Sequence, residues 1–324
     1  MKEDRILPAS SRKAWLASPL VRLTGGALLI GASAVFVRLV RDDAPGTGPV
    51  AVAFWRMLFG GVVLLPLALR GGTIRVAGTR ERGLIMLAAF IFACDLTVWH
   101  ASIHRIGPGL ATILGNLQAV ILALVGLVVF RELGARRVVL SVGCAMIALV
   151  MLTAGSWSGG TGEYQAGVLL GLGTALCYSG YLLTLRSLGS GTHARLSPVR
   201  RMLLISLACA AFLALFAWIG GESLLLASAE SYALMFLYGA FCQGLAWVWI
   251  SGAMPLVPAS VSGLVLLLQP AVSFVSDVLF FGRGVTGLEA GGALLAAAAI
   301  WMGSSQARVR GADRKSTRLN SSHG

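Results

Sequence analysis

Ten stretches of hydrophobic side chains, each about the length that crosses a bilayer, fill this chain nearly end to end and leave no segment able to fold as a water-soluble domain. A hydrocarbon core roughly 30 Å thick needs about 20 apolar residues at about 1.5 Å rise per residue. Peptide groups inside it must pair within their own segment, which makes each stretch a helix. Composition agrees: 57% of the 324 residues are hydrophobic, 12% are charged and the mean hydropathy is +0.83, whereas about a quarter of a soluble domain is charged. The expected fold class is an all-α polytopic membrane protein.

The spans read as residues 21–40, 50–69, 83–103, 107–130 and 138–153, then 166–185, 199–220, 232–253, 259–281 and 285–303. Turn-forming clusters separate them: Gly46-Thr47-Gly48-Pro49, Gly71-Gly72, Gly107-Pro108, Ser158-Gly159-Gly160, Gly220-Gly221 and the stretch from Pro255 to Pro258. Domain organisation follows as an N-terminal tail (1–19), two five-span units (20–155 and 164–304) and a C-terminal tail (305–324). Residues 315–324 are polar and unpatterned, read as a tail or an artefact, and are excluded from the fold.

A formal charge of +13 in a soluble protein would point to nucleic acid, so its placement decides the matter. With the N-terminus in the cytoplasm, 21 of the 26 basic side chains fall on the inner side, in the N-terminal tail, around Arg70 to Arg82, at Arg131, Arg136 and Arg137, at Arg186 to Arg201 and in the C-terminal tail. Only Arg38, Arg41, Arg105 and Arg283 fall outside, and Arg56 lies within a span. This is a positive-inside pattern and not a nucleic-acid patch. Dropping any one span would swap the sides of all later loops and destroy it. Both termini are expected in the cytoplasm and the chain in the inner (plasma) membrane, as a monomer or a homodimer.

Cys94, Cys144, Cys177, Cys209 and Cys242 all lie in spans without CxxC or Cys/His spacing, and read as small apolar residues with no disulfide or metal role. Trp15, Trp157 and Trp218 read as interfacial belt residues and Asp277 as interfacial.

The two halves repeat. Arg56-Met57-Leu58 in span two recurs as Arg201-Met202-Leu203 in span seven, Gly25 to Ser33 resembles Gly171 to Ser179, and Leu117 to Val120 parallels Gln269 to Val272 with one residue inserted. Five spans per half is an odd number, so the second copy enters the membrane upside down. Inverted repeats are a transporter signature, with the binding site near the midplane between the halves.

Asp95-Leu96-Thr97-Val98-Trp99-His100-Ala101-Ser102-Ile103, Gly109 to Leu117 and Phe130-Arg131-Glu132 resemble the EamA family of the drug/metabolite transporter superfamily. The resemblance covers about 21–303 and implies two five-helix repeats, cytoplasmic termini and transport or export of small metabolites. The chain departs from the family pattern twice. Gln118-Ala119 stands where many members have Pro after the Asn-Leu pair, which is expected to alter the bend of span four, and Gly282-Arg283 replaces the second Gly-Glu pair.

Charged groups in mid-span are disfavoured by about 2.5–3.5 kcal/mol on insertion scales, so those present point to a pathway. Asp95 lies near the middle of span three with Trp99 and Ser102 on its face. A carboxyl so desolvated can exchange a proton near neutral pH, which makes Asp95 the proton-coupling candidate, with His100 a second titratable group; the alternatives are a fixed partner for Arg56 and an interhelical hydrogen bonder. Arg56 either holds a substrate carboxylate or snorkels to the outer interface. Asn116 and Gln118 on span four face the pathway, among small residues that pack helices. Span six brings Thr174, Tyr178 and Tyr181, and span eight Gln243 and Trp247. Ser262, Gln269, Ser273 and Ser276 form a polar stripe along span nine, where Pro270 marks a hinge.

No GxxxxGK exists and the only lysines are Lys2, Lys13 and Lys315, so an ATP-driven pump is excluded. A membrane-embedded enzyme acting on a lipid-linked substrate would need a catalytic constellation, and neither HExxH, GxSxG nor a Cys/His cluster appears. A channel would need a charge ring or filter loop; a scaffold or sensor would not need polar stripes. The reading is therefore a secondary transporter, without cofactor or metal, moving a small-molecule substrate such as an amino acid or a drug-like amphiphile outward through the lipid bilayer.

Overall fold

The computed structural model describes residues 18–43, 48–70, 78–132, 135–153, 164–190, 196–282 and 284–302. Trp15, Trp157, Arg283 and residues 1–17 and 303–324 lie outside them, as do the side chains of Arg38, Arg41, Arg136 and Asp277. Among the described residues every regular element is a helix. Span one is α1 (Pro19–Gly31) and α2 (Ser33–Asp43), parted at Ala32. Span two is α3 (Pro49–Leu69), and α4 (Thr79–Asn116) carries span three and the start of span four, which α5 (Gln118–Val128) completes. Spans five to seven are α6 (Ala135–Thr153), α7 (Tyr164–Leu188) and α8 (Pro198–Gly220). Span eight is α9 (Ala229–Tyr238), a π-helical turn (Gly239–Leu245) and α10 (Ala246–Ala253); span nine is α11 (Ala259–Leu266) and α12 (Leu268–Phe281); span ten is α13 (Gly287–Met302).

Local chemistry sets the ends. Proline opens α1, α3 and α8, where its missing N–H costs nothing, and α8 stops at Gly221, whose φ of 68° closes the helix with hydrogen bonds to Ala217 and Trp218 carbonyls. Across Gly107-Pro108 the helical hydrogen bonding continues, although that dipeptide reads as a boundary. The chain nevertheless turns back there: Gly115 and Trp99 are in van der Waals reach, and a straight helix would hold residues sixteen apart about 24 Å from each other.

The packing is that of two copies related by a two-fold operation. Span two packs on its counterpart seven and span four on nine, through α5 and α11; span three packs on six and, as its image, span one on eight. Counterparts run antiparallel. Glu222, just past α8, accepts a hydrogen bond from Ala51 N–H at the start of α3 at 3.0 Å, and Arg200, at the start of α8, donates to Ala68 O at the end of α3 at 3.2 Å. A Cβ at Gly292, early in α13, would lie 2.9 Å from Ala148 O, late in α6. Inversion of the second repeat is thus visible in which ends meet. Toward the lipid the bundle presents large apolar side chains, among them Leu140, Ile147, Leu169, Leu176, Leu294 and Trp301, an arrangement suited to hydrocarbon rather than to water.

Spans four and nine are broken at corresponding places. Leu117 and Leu267 each leave the α-helix through a tighter turn, their N–H groups bonding Leu114 O and Leu264 O, both at 3.1 Å. Pro270 removes the N–H that would hold Leu266 O, and a small apolar cavity behind it is lined by Ala145, Leu149, Leu267, Pro270, Ala271 and Ala296. Span four has no proline, yet it breaks at Leu117 all the same, so the Gln118-Ala119 departure does not remove the interruption.

Span two and the π turn cross backbone to backbone. A Cβ on Gly239 would stand 2.7 Å from Gly60 N and 2.9 Å from Arg56 O, and one on Gly60 would stand 2.7 Å from Gln243 Cβ. Gly239→Leu is expected to lower the thermal midpoint of the detergent-purified protein, overpacking costing about 1–3 kcal/mol. Gly78→Ala, where a Cβ meets nothing within 4 Å, should leave it nearly unchanged; equal midpoints in the two variants contradict the crossing.

Candidate functional site

The Gly60–Gly239 crossing fixes what lies one turn away. Arg56, on α3, is buried and reaches Tyr238, the residue before the π turn: Nη1 donates to the hydroxyl at 3.1 Å, and the guanidinium lies 5.1 Å from the Tyr238 ring centroid and 5.9 Å from that of Phe92. Tyr238 is braced by Phe36 of α2, stacked at 5.6 Å and 9°. Arg56 is thus held by repeat two while standing on repeat one, and its Nε has no hydrogen-bond partner.

Asp95 lies near the middle of span three, on the face that carries Phe92 one turn earlier. Its carboxyl is buried, accepts no hydrogen bond and forms no ion pair within 4.0 Å, so it is not the fixed partner of Arg56, although Arg56 is the nearby cation that acts on it electrostatically. A buried charge without partner is costly.

Phe92, Tyr181 and Trp247 form an aromatic wall beside these charges. Phe92 and Tyr181 stack at 4.2 Å and 4°, and Trp247 meets them edge-on at 5.4 and 5.0 Å. Tyr178 meets Trp247 at 6.2 Å and accepts a hydrogen bond from Gln269 Nε2 at 3.1 Å, which joins spans six and nine. Gln243 Nε2 donates to Ser206 Oγ at 3.1 Å. The structure therefore gathers Arg56, Asp95, Tyr178, Tyr181, Gln243, Trp247 and Gln269 from five different spans.

Other residues singled out in the sequence are spent on backbone. Ser102, fully buried, donates to Gly167 O at 2.9 Å across the span three–six contact. His100 Nδ1 donates to Leu96 O at 2.6 Å within its own helix, and its ring meets Trp99 at 4.8 Å. Asn116 donates to Thr112 O at 2.8 Å, and Thr174 to Leu170 O at 3.2 Å. On span nine the break divides the stripe: Ser262 bonds Pro258 O at 3.0 Å, whereas Ser273 reaches Gly31 O at 2.8 Å beside the span-one break.

Among the buried polar groups without a protein partner are Arg56 Nε, Asp95 Oδ1, Tyr181 OH, Gln243 Oε1, Trp247 Nε1 and both amide atoms of Gln118. Each such group costs about 1–3 kcal/mol if it stays unmet. Their grouping across both repeats is what a hydrated or ligand-binding pathway requires.

Phe92 and Tyr238 were not singled out by sequence reading. Phe92 was findable, three residues before Asp95 and so on its face; Tyr238 gave no signal, because its role comes from the π turn that follows it.

The sequence profile of the EamA-like transporter family matches residues 20–154 and 165–305, one copy per half. The chain belongs to the EamA-like transporter family. No curated protein matches it. A chain from a solved crystal structure, 18% identical, superposes with a TM-score of 0.75 over 90% of this chain and 97% of that one, which places the EamA-like chain in a known fold.

In this EamA-like protein the repeat turns the two arginines to different uses. Arg201, expected as a loop-side charge, is buried and donates from Nη1 to Ser251 O at 3.2 Å and Ser251 Oγ at 3.1 Å and from Nη2 to Leu196 O at 3.3 Å, leaving only its Nε unmet. Arg56 makes one such bond. Arg201→Met should cost at least about 3 kcal/mol, since hydrogen bonds to charged groups are worth about 1.5–3 kcal/mol each, and lower the melting midpoint well below that of Arg56→Met. An equal loss in both contradicts the greater structural engagement of Arg201.

Proposed function

We propose that this chain is a secondary transporter that exports a small metabolite, amino-acid-like or a drug-like amphiphile, by alternating access between its inverted repeats, with proton coupling at Asp95. The observation that carries the reading is the cluster of unmet polar groups at the junction of the repeats, beside the aromatic wall. The wall offers an apolar surface to the body of an amphiphile, and Arg56, held at one corner, offers a donor to its acidic group. Asp95 suits coupling because nothing pins it: a carboxylate locked in an ion pair cannot trade its charge for a proton cheaply, whereas a free one facing the pathway can. The charge asymmetry of the loops supports an inner-membrane location with both termini in the cytoplasm.

The transported compound is found by scanning a metabolite library for molecules that raise the melting midpoint of the purified protein. Flux of that compound in proteoliposomes, with and without an imposed pH gradient, then tests the coupling. The parent should respond to the gradient, and Asp95→Asn should lose the response while still exchanging labelled for unlabelled compound. Undiminished proton-driven flux in Asp95→Asn overturns the coupling role.

A further inference from the structure

Where α5 ends, a single side chain ties one repeat to the other. Glu132 follows the first-repeat helix α5, and all the partners of its carboxylate belong to the second repeat. Oε1 accepts from Ala259 N–H at 2.6 Å, and Oε2 accepts from Ser260 N–H at 3.2 Å and from Ser260 Oγ at 2.6 Å. The Arg186 guanidinium stands 3.9 Å from Oε1. Arg186 itself donates to Met254 O at 2.9 Å and to Val257 O, and lies 5.1 Å from the Phe130 ring centroid. The ends of spans four, six and eight and the start of span nine thus converge on one carboxylate, which meets the N–H groups that α11 cannot satisfy itself.

Packing closes the bundle beneath this carboxylate. A Cβ on Gly126 would lie 3.0 Å from Ser260 Cβ, and one on Gly263 would lie 3.0 Å from Leu122 Cβ and 3.1 Å from Ala119 Cα, so α5 and α11 touch along their length. Beyond the breaks at Leu117 and Leu267 the two spans part company. The start of span four goes to span six, where Leu114 meets Gly171 and Gly115 meets Thr174, while α12 packs on α1 and α2. The spans are joined on the Glu132 side and separate on the other.

The repeat predicts a second such tie at the opposite face, after span nine. There the chain has Gly282-Arg283, with no acid to play the part. We infer that Glu132 is a lock on one end of the span four–nine pair: it holds the pathway shut on the face bearing the basic loops, whereas no acid follows span nine on the opposite face, where the Glu222 bond to Ala51 N–H joins spans two and seven instead. The purpose of such a lock rests on the transport reading, since each cycle would have to break the Glu132 contacts and remake them, and the pathway would rest shut on the basic face.

Spin-label distances in the full-length protein, with its native cysteines replaced, test the inference. One label pair sits at exposed Val129 and Leu256 on the locked side, the other at exposed His104 and Leu279 on the far side. In Glu132→Ala the first distance should lengthen and the second shorten; in Ser260→Ala, which keeps the carboxylate and its backbone bonds, both shifts should be smaller. Unchanged distances in Glu132→Ala, or both lengthening together, overturn the lock, and should Glu132→Ala not fold, unchanged distances in Ser260→Ala do so. A protein whose distances shift as expected but which moves no compound in proteoliposomes keeps the lock and loses the transport reading; one that transports with unresponsive distances does the reverse.

Discussion

Hydrocarbon offers a peptide N–H or C=O nothing to bond, so a chain of this composition must close its hydrogen bonds within each span, and any departure from regular helix has to be held by neighbouring protein. The departures here cluster: Ala32 in span one, Leu117 in span four, the π turn in span eight and Leu267 in span nine. Each glutamine of the site sits on one of them, Gln118 and Gln243 buried and Gln269 half-buried. Gln118 follows Leu117, Gln269 lies two residues after Leu267, and Gln243 is part of the π turn. Irregular backbone at membrane depth is tolerated where it lines a cavity or is enclosed by protein.

The inverted repeat explains how one short sequence serves two ends. Arg-Met-Leu appears in both halves, but the surroundings differ. Arg201 finds two backbone carbonyls and a hydroxyl and becomes a structural fastening near the start of α8, whereas Arg56 finds one phenol and two ring faces and keeps donor capacity. Glu132 follows the same logic in the loops, being present in one copy and absent from the other. Duplication gives the architecture, and its broken symmetry gives the two faces different tasks.

Much of this was legible in the residues. Spans two and seven were read to within a residue because proline and glycine punctuate them, and the reversal between spans three and four was placed at Gly107-Pro108, where packing of Gly115 on Trp99 confirms the turn even though helical bonding runs through it. The breaks at Ala32 and Leu117 were not legible, since neither carries a proline; they arise from tertiary packing that no local propensity records. Asp95 stood out as a carboxylate in mid-span, but that it lacks an ion pair with Arg56 is a matter of how spans two and three sit against span eight. His100 and Ser102 illustrate the opposite failure: the right residue types at helical spacing, satisfied by Leu96 and Gly167 carbonyls.

The central claim is that Asp95 faces a pathway reached from one side of the membrane at a time. Cysteine placed at position 95, in a chain with its native cysteines replaced, can be challenged with a membrane-impermeant thiol reagent in intact cells and in inverted vesicles. Labelling from both faces, with each reduced when the transported compound is added, is the predicted result. Labelling from neither face, with reaction only to a lipid-soluble reagent, would mean that Asp95 is sealed in protein or turned to the acyl chains, and would contradict the pathway.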